Sequence, residues 1–320
     1  MGDTKTEGAA RQMVELAVED GIAWITVNRP EALNALNETV VGQLETTFDA
    51  ATGRSDVKAL VIQGAGGKAF IAGADIKFFI DNIEAGTIPK VVEFTRGGQQ
   101  LLRKLETCPK PVVAKVDGLA LGGGFELAMA CTAIVATEKA VFGLPETGIG
   151  IYPGLGGSQR TPRIVGKALG KFLVFTGQML DGKTAHEIGV AGYFAPSEEA
   201  DACVKSLLAS GKIADKYAAK PVPAGWEAVA EAFADANVAD LLAGKAPNED
   251  PRVAKAVKAI GKKAPLALKT VNKIMDEGLT KDVAAAVALE LDYIPEIFAT
   301  KDALHGLKSI GAYQPQFTGE

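Results

Sequence analysis

Histidine is nearly missing from this sequence, with only His186 and His305 in 320 residues. No H-E-x-x-H pattern joins them, so no metal site is expected and each reads as a surface or satisfied polar side chain. Cysteine is equally sparse. Cys108, Cys131 and Cys203 are odd in number and form no C-x-x-C pair, which argues against a disulfide framework or a thiolate zinc site and for core thiols in a reducing compartment. Basic blocks are also lacking: 34 Lys and Arg face 39 Asp and Glu, for a net charge of −5. Nucleic-acid binding, which depends on Lys and Arg displacing condensed counterions, is therefore not expected, and an acidic membrane surface would repel the chain. The longest apolar runs, such as that around 132–136, fall far short of the roughly 20 residues that cross a bilayer. The opening residues 1–12 carry Asp3 and Glu7 and no apolar stretch of the kind a secretory signal needs. A soluble, cytoplasmic protein without a membrane or nucleic-acid partner is the expectation.

Hydrophobic residues make up 48% of the chain, enough for one large core or two ordinary ones. Val14, Leu16 and Val18 alternate with polar residues, Glu19-Asp20-Gly21 makes a turn, and Ile22 and Trp24 to Val27 continue as a second strand, so the chain opens with a hairpin. Helical spacing follows over 37–51, a buried strand over 57–62 and another helix over 91–105. The rhythm repeats with a strand over 111–116, a glycine-rich loop over 118–124, a helix over 125–131 and strands over 133–136 and 140–142. The stretch 162–176 is apolar at helical spacing. These strand and helix units predict an α/β core over 14–200, preceded by an extension over 1–13. From 201 to 320 the composition shifts to Ala, Lys and Glu without strand signals, predicting a helical C-terminal region. Leu266, Val271, Ile274, Met275, Val287, Leu289 and Leu291 mark an amphipathic pattern over 263–300.

Gly177-Gln178-Met179-Leu180-Asp181-Gly182-Lys183-Thr184 satisfies G-x-x-x-x-G-K-[ST] letter for letter. A phosphate-binding loop follows a buried strand, whereas the residues before this one are spaced like a helix, so triphosphate binding is not expected. The glycines at Gly122, Gly123 and Gly124 likewise fail G-x-G-x-x-G. They do place bare backbone at the start of a helix, where unpaired N–H groups and the helix dipole favour a ligand oxygen. Ala72-Gly73-Ala74-Asp75 is a second small-residue loop, and two such loops either make an oxyanion hole or serve only as packing turns. Glu126 falls in the first helical turn after the glycines. Glu146 lies in the apolar, turn-forming Leu144-Pro145-Glu146-Thr147-Gly148, where desolvation would raise its pKa. Two carboxyl groups beside an oxyanion hole suit acid–base chemistry next to a carbonyl.

Taken in order, five segments resemble the enoyl-CoA hydratase/isomerase, or crotonase, superfamily. They are Asn28-Arg29-Pro30-Glu31-Ala32-Leu33-Asn34-Ala35-Leu36; Ala69-Phe70-Ile71-Ala72-Gly73-Ala74-Asp75-Ile76-Lys77; Lys110-Pro111-Val112-Val113-Ala114-Lys115-Val116; Gly118-Leu119-Ala120-Leu121-Gly122-Gly123-Gly124-Phe125-Glu126-Leu127-Ala128; and Phe142-Gly143-Leu144-Pro145-Glu146. The resemblance runs over 14–192 and again over 263–317. It implies a spiral of ββα units followed by helices that mediate trimerisation, as a homotrimer or a hexamer built as a dimer of trimers. The thioester oxygen of an acyl-CoA would lie between the N–H groups of Ala74 and Gly123, with Ala72, Asp75, Ile76 and Gly122 around it. Ala32 and Leu33 would contact the adenine and Lys77 the CoA phosphates. Members that hydrate carry Glu at both positions matching Glu126 and Glu146, so the resemblance implies water addition to a trans-2-enoyl-CoA. Glu126 would activate water and Glu146 would protonate Cα. No cofactor is implied, since coenzyme A enters as part of the substrate. An enoyl-CoA isomerase or acyl-CoA hydrolase on the same scaffold is the alternative, and a non-catalytic CoA-thioester or protein-binding module a further one.

The sequence departs from the pattern in three places. Thr132 replaces a common Asp, 311–316 lacks the Lys or Arg that some members use on CoA phosphates, and 212–262 is longer than in ordinary hydratases. In that extended segment Trp226, Val229, Phe233, Val238 and Leu242 recur at near-helical intervals, which predicts an added amphipathic helix, with a partner-binding role as the alternative. Phe78, Phe79 and Ile80 are candidates either for the acyl pocket or for core packing.

Overall fold

A computed structural model describes residues 11–320; residues 1–10, most of the expected extension over 1–13, lie outside the described residues. The opening hairpin forms as β1 (Val14–Glu19) and β2 (Ile22–Val27), paired antiparallel. Then strands arrive in pairs: β3 (Ala59–Gly64) with β4 (Ala69–Ala72), β5 (Val112–Val116) with β6 (Leu119–Leu121), and β7 (Ala133–Ala136) with β8 (Val141–Gly143). The first of each pair joins a sheet ordered β1-β2-β3-β5-β7-β10, closed by β10 (Tyr193–Phe194). The second joins a smaller sheet ordered β4-β6-β8-β9, with β9 (Leu180–Asp181). Between pairs the chain returns through helices, so each turn of the spiral contributes one strand to each sheet and a helix outside them. β2, β3, β5, β7 and β10 run parallel, as do β4, β6 and β8, while β9 is antiparallel. The apolar runs Ala59–Gly64 and Val112–Val116 follow from this, because parallel strands are covered on both faces.

Several elements differ from what spacing alone predicts. The helical pattern over 162–176 is two helices, Gly157–Val165 and Lys167–Thr176, because Gly166 takes a φ of 87° that ends the first. Lys167–Thr176 also precedes the apparent phosphate loop, so a helix stands where a nucleotide loop needs a strand; Asp181 caps the short helix Gly182–Glu187 by accepting from Thr184 N–H. Within the glycine-rich loop a strand, β6, separates Gly118 from Gly122. The extended segment is not one helix but three, Glu227–Ala232, Val238–Leu242 and Pro251–Ile260. Asp235, in the first break, ion-pairs with Lys167 at 2.5 Å and with the buried Lys171 at 2.8 Å, while Gly244 with a φ of 80° and Pro251 at the start of the third helix mark the second. Val229, Phe233 and Leu241 go into the core, where Phe233 meets Phe172 edge to face, whereas Leu242 is exposed. The amphipathic stretch over 263–300 is also divided, into Pro265–Gly278 and Val283–Phe298. On the second helix the buried stripe runs through Ala286, Val287, Glu290 and Ile294; Leu289 and Leu291 are only half-buried.

Both histidines are accounted for locally. His186 Nδ1 is 2.9 Å from the Ala191 carbonyl, and His305 lies against Tyr313. The three cysteines are free thiols, and burial pushes Cys131 up to about 12. Among the described residues no helix is long and apolar enough to cross a membrane.

The helix Gly123–Ala130 packs directly on β4, and its closest approach is at Gly124: a Cβ there would lie 1.9 Å from the Ile71 carbonyl oxygen. Gly124→Ala is therefore expected to destabilise the fold by about 3 kcal/mol, read as a lowered midpoint in thermal or urea unfolding.

Candidate active site

The two small-residue loops lie side by side across the smaller sheet, because β4 and β6 pair in parallel with Ala72 opposite Leu121. After β4, Leu36 N–H donates to the Gly73 carbonyl at 2.9 Å and Asp75 N–H donates to the Leu36 carbonyl at 2.8 Å. The N–H and C=O of a trans peptide point in opposite directions, so turning the Gly73 carbonyl towards Leu36 turns the Ala74 N–H away from it. Gly123 is the first residue of its helix, and its N–H is one of those that the helix cannot satisfy. Both residues line a cavity of about 380 Å³. Gly122 reaches this position with φ 48° and ψ −124°, a backbone that other residues avoid, and a Cβ on it would strike Glu146 Oε1 at 2.7 Å.

Glu126 and Glu146 come to the same cavity from different elements, the helix Gly123–Ala130 and the 3-10 turn Glu146–Ile149. Glu126 is buried and its Oε1 accepts two hydrogen bonds, from Leu155 N–H and Gly157 N–H, each at 2.7 Å. Desolvation raises its pKa and those two donors hold it back, leaving it at about 7. Glu146 is also buried, but its Oε2 has no hydrogen-bond partner. Burial, then the neighbouring charge of Glu126, raise it well above the usual carboxylate range, with Lys263 only partly opposing. The far end of the cavity is apolar, with Phe79, Phe94, Ile294 and Phe298 on its wall. Of the three candidates for an acyl pocket, Phe79 lines it, while Phe78 and Ile80 pack against the core.

Ala72, Ala74, Ile76, Gly122, Gly123, Glu126 and Glu146 all reach the cavity wall, as the sequence places them, while Ala32, Leu33, Asp75 and Lys77 do not. Asp75 is paired with Arg29 at 2.9 Å. The Lys77 ammonium is exposed and lies 2.6 Å from Asp81, one helical turn on. Ala32 and Leu33 form a turn in which Leu33 and Asn34 take φ of 50° and 59°. The buried Asn34 amide fixes that turn by donating to the Ala65 and Ala69 carbonyls and accepting from Arg29 N–H. Ala72 N–H then donates to the Leu33 carbonyl at 3.0 Å, tying this turn to the loop that presents Ala74.

Sequence reading missed a third carboxyl group. Glu290, on the helix Val283–Phe298, is fully buried and accepts from Gly156 N–H at 2.7 Å and from Ser158 Oγ–H at 2.6 Å. Glu126 and Glu290 thus hold alternate donors of one loop, 155–158. Arg160 closes the arrangement by donating to the Leu155 carbonyl at 2.8 Å while its guanidinium pairs with Glu106. The available signal was the lone acid on an apolar stripe, three and four residues from Val287, Ala286 and Ile294. Glu290→Ala leaves the buried Gly156 N–H and Ser158 Oγ–H without their acceptor, so a loss of about 3 kcal/mol is expected in chemical denaturation.

Comparison with known proteins agrees with this geometry. The model of the enoyl-CoA hydratase/isomerase family matches residues 22–314. Crotonyl-CoA hydratase of Syntrophomonas wolfei is 33% identical over 298 residues, covering 93% of this chain and 94% of that protein. Mitochondrial 3-hydroxyisobutyryl-CoA hydrolase of Rattus norvegicus is 31% identical over 304 residues, covering 89% of this chain and 78% of that protein. Among solved structures, an enoyl-CoA hydratase from Rhodobacter sphaeroides 2.4.1 superposes with a TM-score of 0.82 at 25% identity, over 97% of this chain and 93% of that one. By the match over residues 22–314 and the 33% identity to crotonyl-CoA hydratase, this chain belongs to the enoyl-CoA hydratase/isomerase family.

Proposed function

We propose that the protein is an enoyl-CoA hydratase, adding water across the 2,3 double bond of a trans-2-enoyl-CoA of the crotonyl type to give the 3-hydroxyacyl-CoA. The observation that carries this reading is the asymmetry of the two carboxyl groups on the cavity wall. One is held by two donors and the other has an oxygen with none. Glu126, the more acidic, is the base: it takes a proton from water as the oxygen bonds to Cβ. Electrons move to the thioester oxygen, which Ala74 N–H and Gly123 N–H stabilise as an enolate. Glu146, kept protonated by burial, gives its proton to Cα as the thioester carbonyl re-forms. The proton that Glu126 gained returns through solvent to Glu146, which resets the site. No separate cofactor enters these steps, since coenzyme A is part of the substrate.

Assembly as a homotrimer or hexamer and a cytoplasmic setting belong to the same reading. The family resemblance supports the first and the three free thiols the second. A second reading, thioester hydrolysis in the same cavity, is favoured by the similarity to 3-hydroxyisobutyryl-CoA hydrolase. The two are told apart by product: hydration leaves the thioester intact, whereas hydrolysis releases a thiol.

With crotonyl-CoA, loss of the conjugated thioester absorbance is expected in the parent, without thiol release. Glu126→Gln and Glu146→Gln should each lower kcat by about 10²–10⁴-fold while circular dichroism stays unchanged. Near-parental rates in either folded variant would overturn the assignment. The pH profile of kcat/KM should be a bell. Glu126 acts when ionised, so the rate rises as pH climbs through about 7; Glu146 acts when protonated, so the rate falls again at higher pH as it ionises. A profile flat from pH 5 to pH 8, a window of about three units around Glu126, would contradict these roles for the two carboxyl groups.

A further inference from the structure

The extended segment opens, over 212–220, with a stretch that forms neither helix nor strand, yet two of its side chains turn inward. Ala214 N–H donates to Tyr193 Oη at 3.2 Å and Tyr217 N–H donates to Asp215 Oδ1 at 2.9 Å, which fixes a turn carrying Lys216 and Tyr217. The Lys216 side chain is only 19% exposed, and its ammonium donates to the Met129, Ala130 and Cys131 carbonyls at 2.7, 3.2 and 2.8 Å. These carbonyls end the helix Gly123–Ala130, which presents Gly123 N–H and Glu126 to the cavity at its other end. A helix cannot satisfy its own last carbonyls, and all eight residues of this one are buried, so the donors must come from elsewhere in the protein. A cation at that end also complements the helix dipole. Burial lowers Lys216 to about 8, with Glu106 the main opposing charge, so the ammonium keeps its proton near neutral pH.

Tyr217 begins a second chain of contacts. Its Oη–H donates to Glu106 Oε1 at 2.6 Å, Glu106 pairs with the buried Arg160 at 3.1 Å, and Arg160 donates to the Leu155 carbonyl at 2.8 Å. Leu155 N–H in turn donates to Glu126 Oε1 at 2.7 Å. The Lys216 ammonium lies 4.9 Å from the centre of the Tyr217 ring and 3.9 Å from Glu106, so both chains start from one dipeptide. Both also end on one carboxyl group: the first holds the helix that carries Glu126, the second the residue that donates to it. We propose that Lys216 and Tyr217 are positioning residues for the hydration reaction, through which the turn at 212–220 clamps Glu126 in place. Neither residue reaches the cavity wall, so both act through others. The proposal rests on the hydratase reading above and gives the start of the extended segment a part in it. A general base must lie within hydrogen-bond reach of the water it deprotonates, and a displacement of about 1 Å can cost as much as a hundredfold in rate.

The test uses Lys216→Met, which keeps the apolar stem and removes the donors, assayed well below its unfolding midpoint. With crotonyl-CoA, kcat should fall by about tenfold while KM stays near the parental value. The rising limb of the kcat/KM pH profile should move up by about half a unit or more, because the ionised form of Glu126 loses support. Tyr217→Phe removes one hydroxyl and should change both quantities in the same directions by less, and it decides the matter alone should Lys216→Met fail to fold. Parental kcat and an unmoved limb in the folded variants would overturn the proposal. So would a lower kcat with the limb unmoved, which is the outcome of a partly unfolded population rather than a displaced base. Infrared difference titration of the Glu126 carboxyl, identified by its loss in Glu126→Gln, reads the same clamp without turnover: its midpoint should lie higher in the variants than in the parent, and an equal midpoint overturns the clamp alone. A parent that does not hydrate crotonyl-CoA overturns the hydratase reading instead, and the infrared midpoints still decide the clamp.

Discussion

The structure around the cavity depends on one short loop, 155–158, gripped from two sides by buried carboxyl groups. Its successive donors alternate: Leu155 N–H and Gly157 N–H go to Glu126, and Gly156 N–H and Ser158 Oγ–H go to Glu290. A loop inside a protein must have its polar groups satisfied, and here the satisfying groups are charged or chargeable. The arrangement serves both sides. The segment is fixed where it enters the helix Gly157–Val165, and Glu126 Oε1 is engaged by two backbone donors. Arg160, itself buried against Glu106, supplies the positive charge that lets three acidic groups share so small a volume.

Two glutamates of the same chemistry become different through their surroundings. Both are desolvated, but two backbone donors favour the ionised form of Glu126, and that charge in turn favours the protonated form of Glu146. Each group's state is thus set partly by the other's. The glycines that surround them are there for space as well as conformation. A methyl group at Gly122 would collide with Glu146, and one at Gly157 would lie 2.8 Å from Glu126 Oε1.

Much of this was legible in the sequence because it is local. A glycine run before a helix exposes backbone donors, an acid in the first turn faces them, and a Pro-flanked Glu in apolar company is desolvated. The strand and helix rhythm followed from apolar runs and spacing, and the five ordered segments named the spiral. What could not be read depends on pairing across long stretches of chain. Asp235 lies where an apparently continuous helix is interrupted, paired with Lys167 and Lys171 far away in sequence. Glu290 looked like one more acid in an Ala-rich segment until its helix was laid against loop 155–158.

The contact between Glu290 and Gly156 joins positions 134 residues apart, and the Gln99 amide reaches across 191 residues to the same carboxyl. Both reacting carboxyl groups are synthesised well before that helix emerges from the ribosome. A nascent chain can therefore wind its spiral and carry both reacting carboxyl groups while loop 155–158 still lacks half of its acceptors. Closure of the catalytic geometry thus waits for the helix Val283–Phe298, and a chain lacking that helix would hold both reacting carboxyl groups without the acceptor that fixes Gly156 and Ser158.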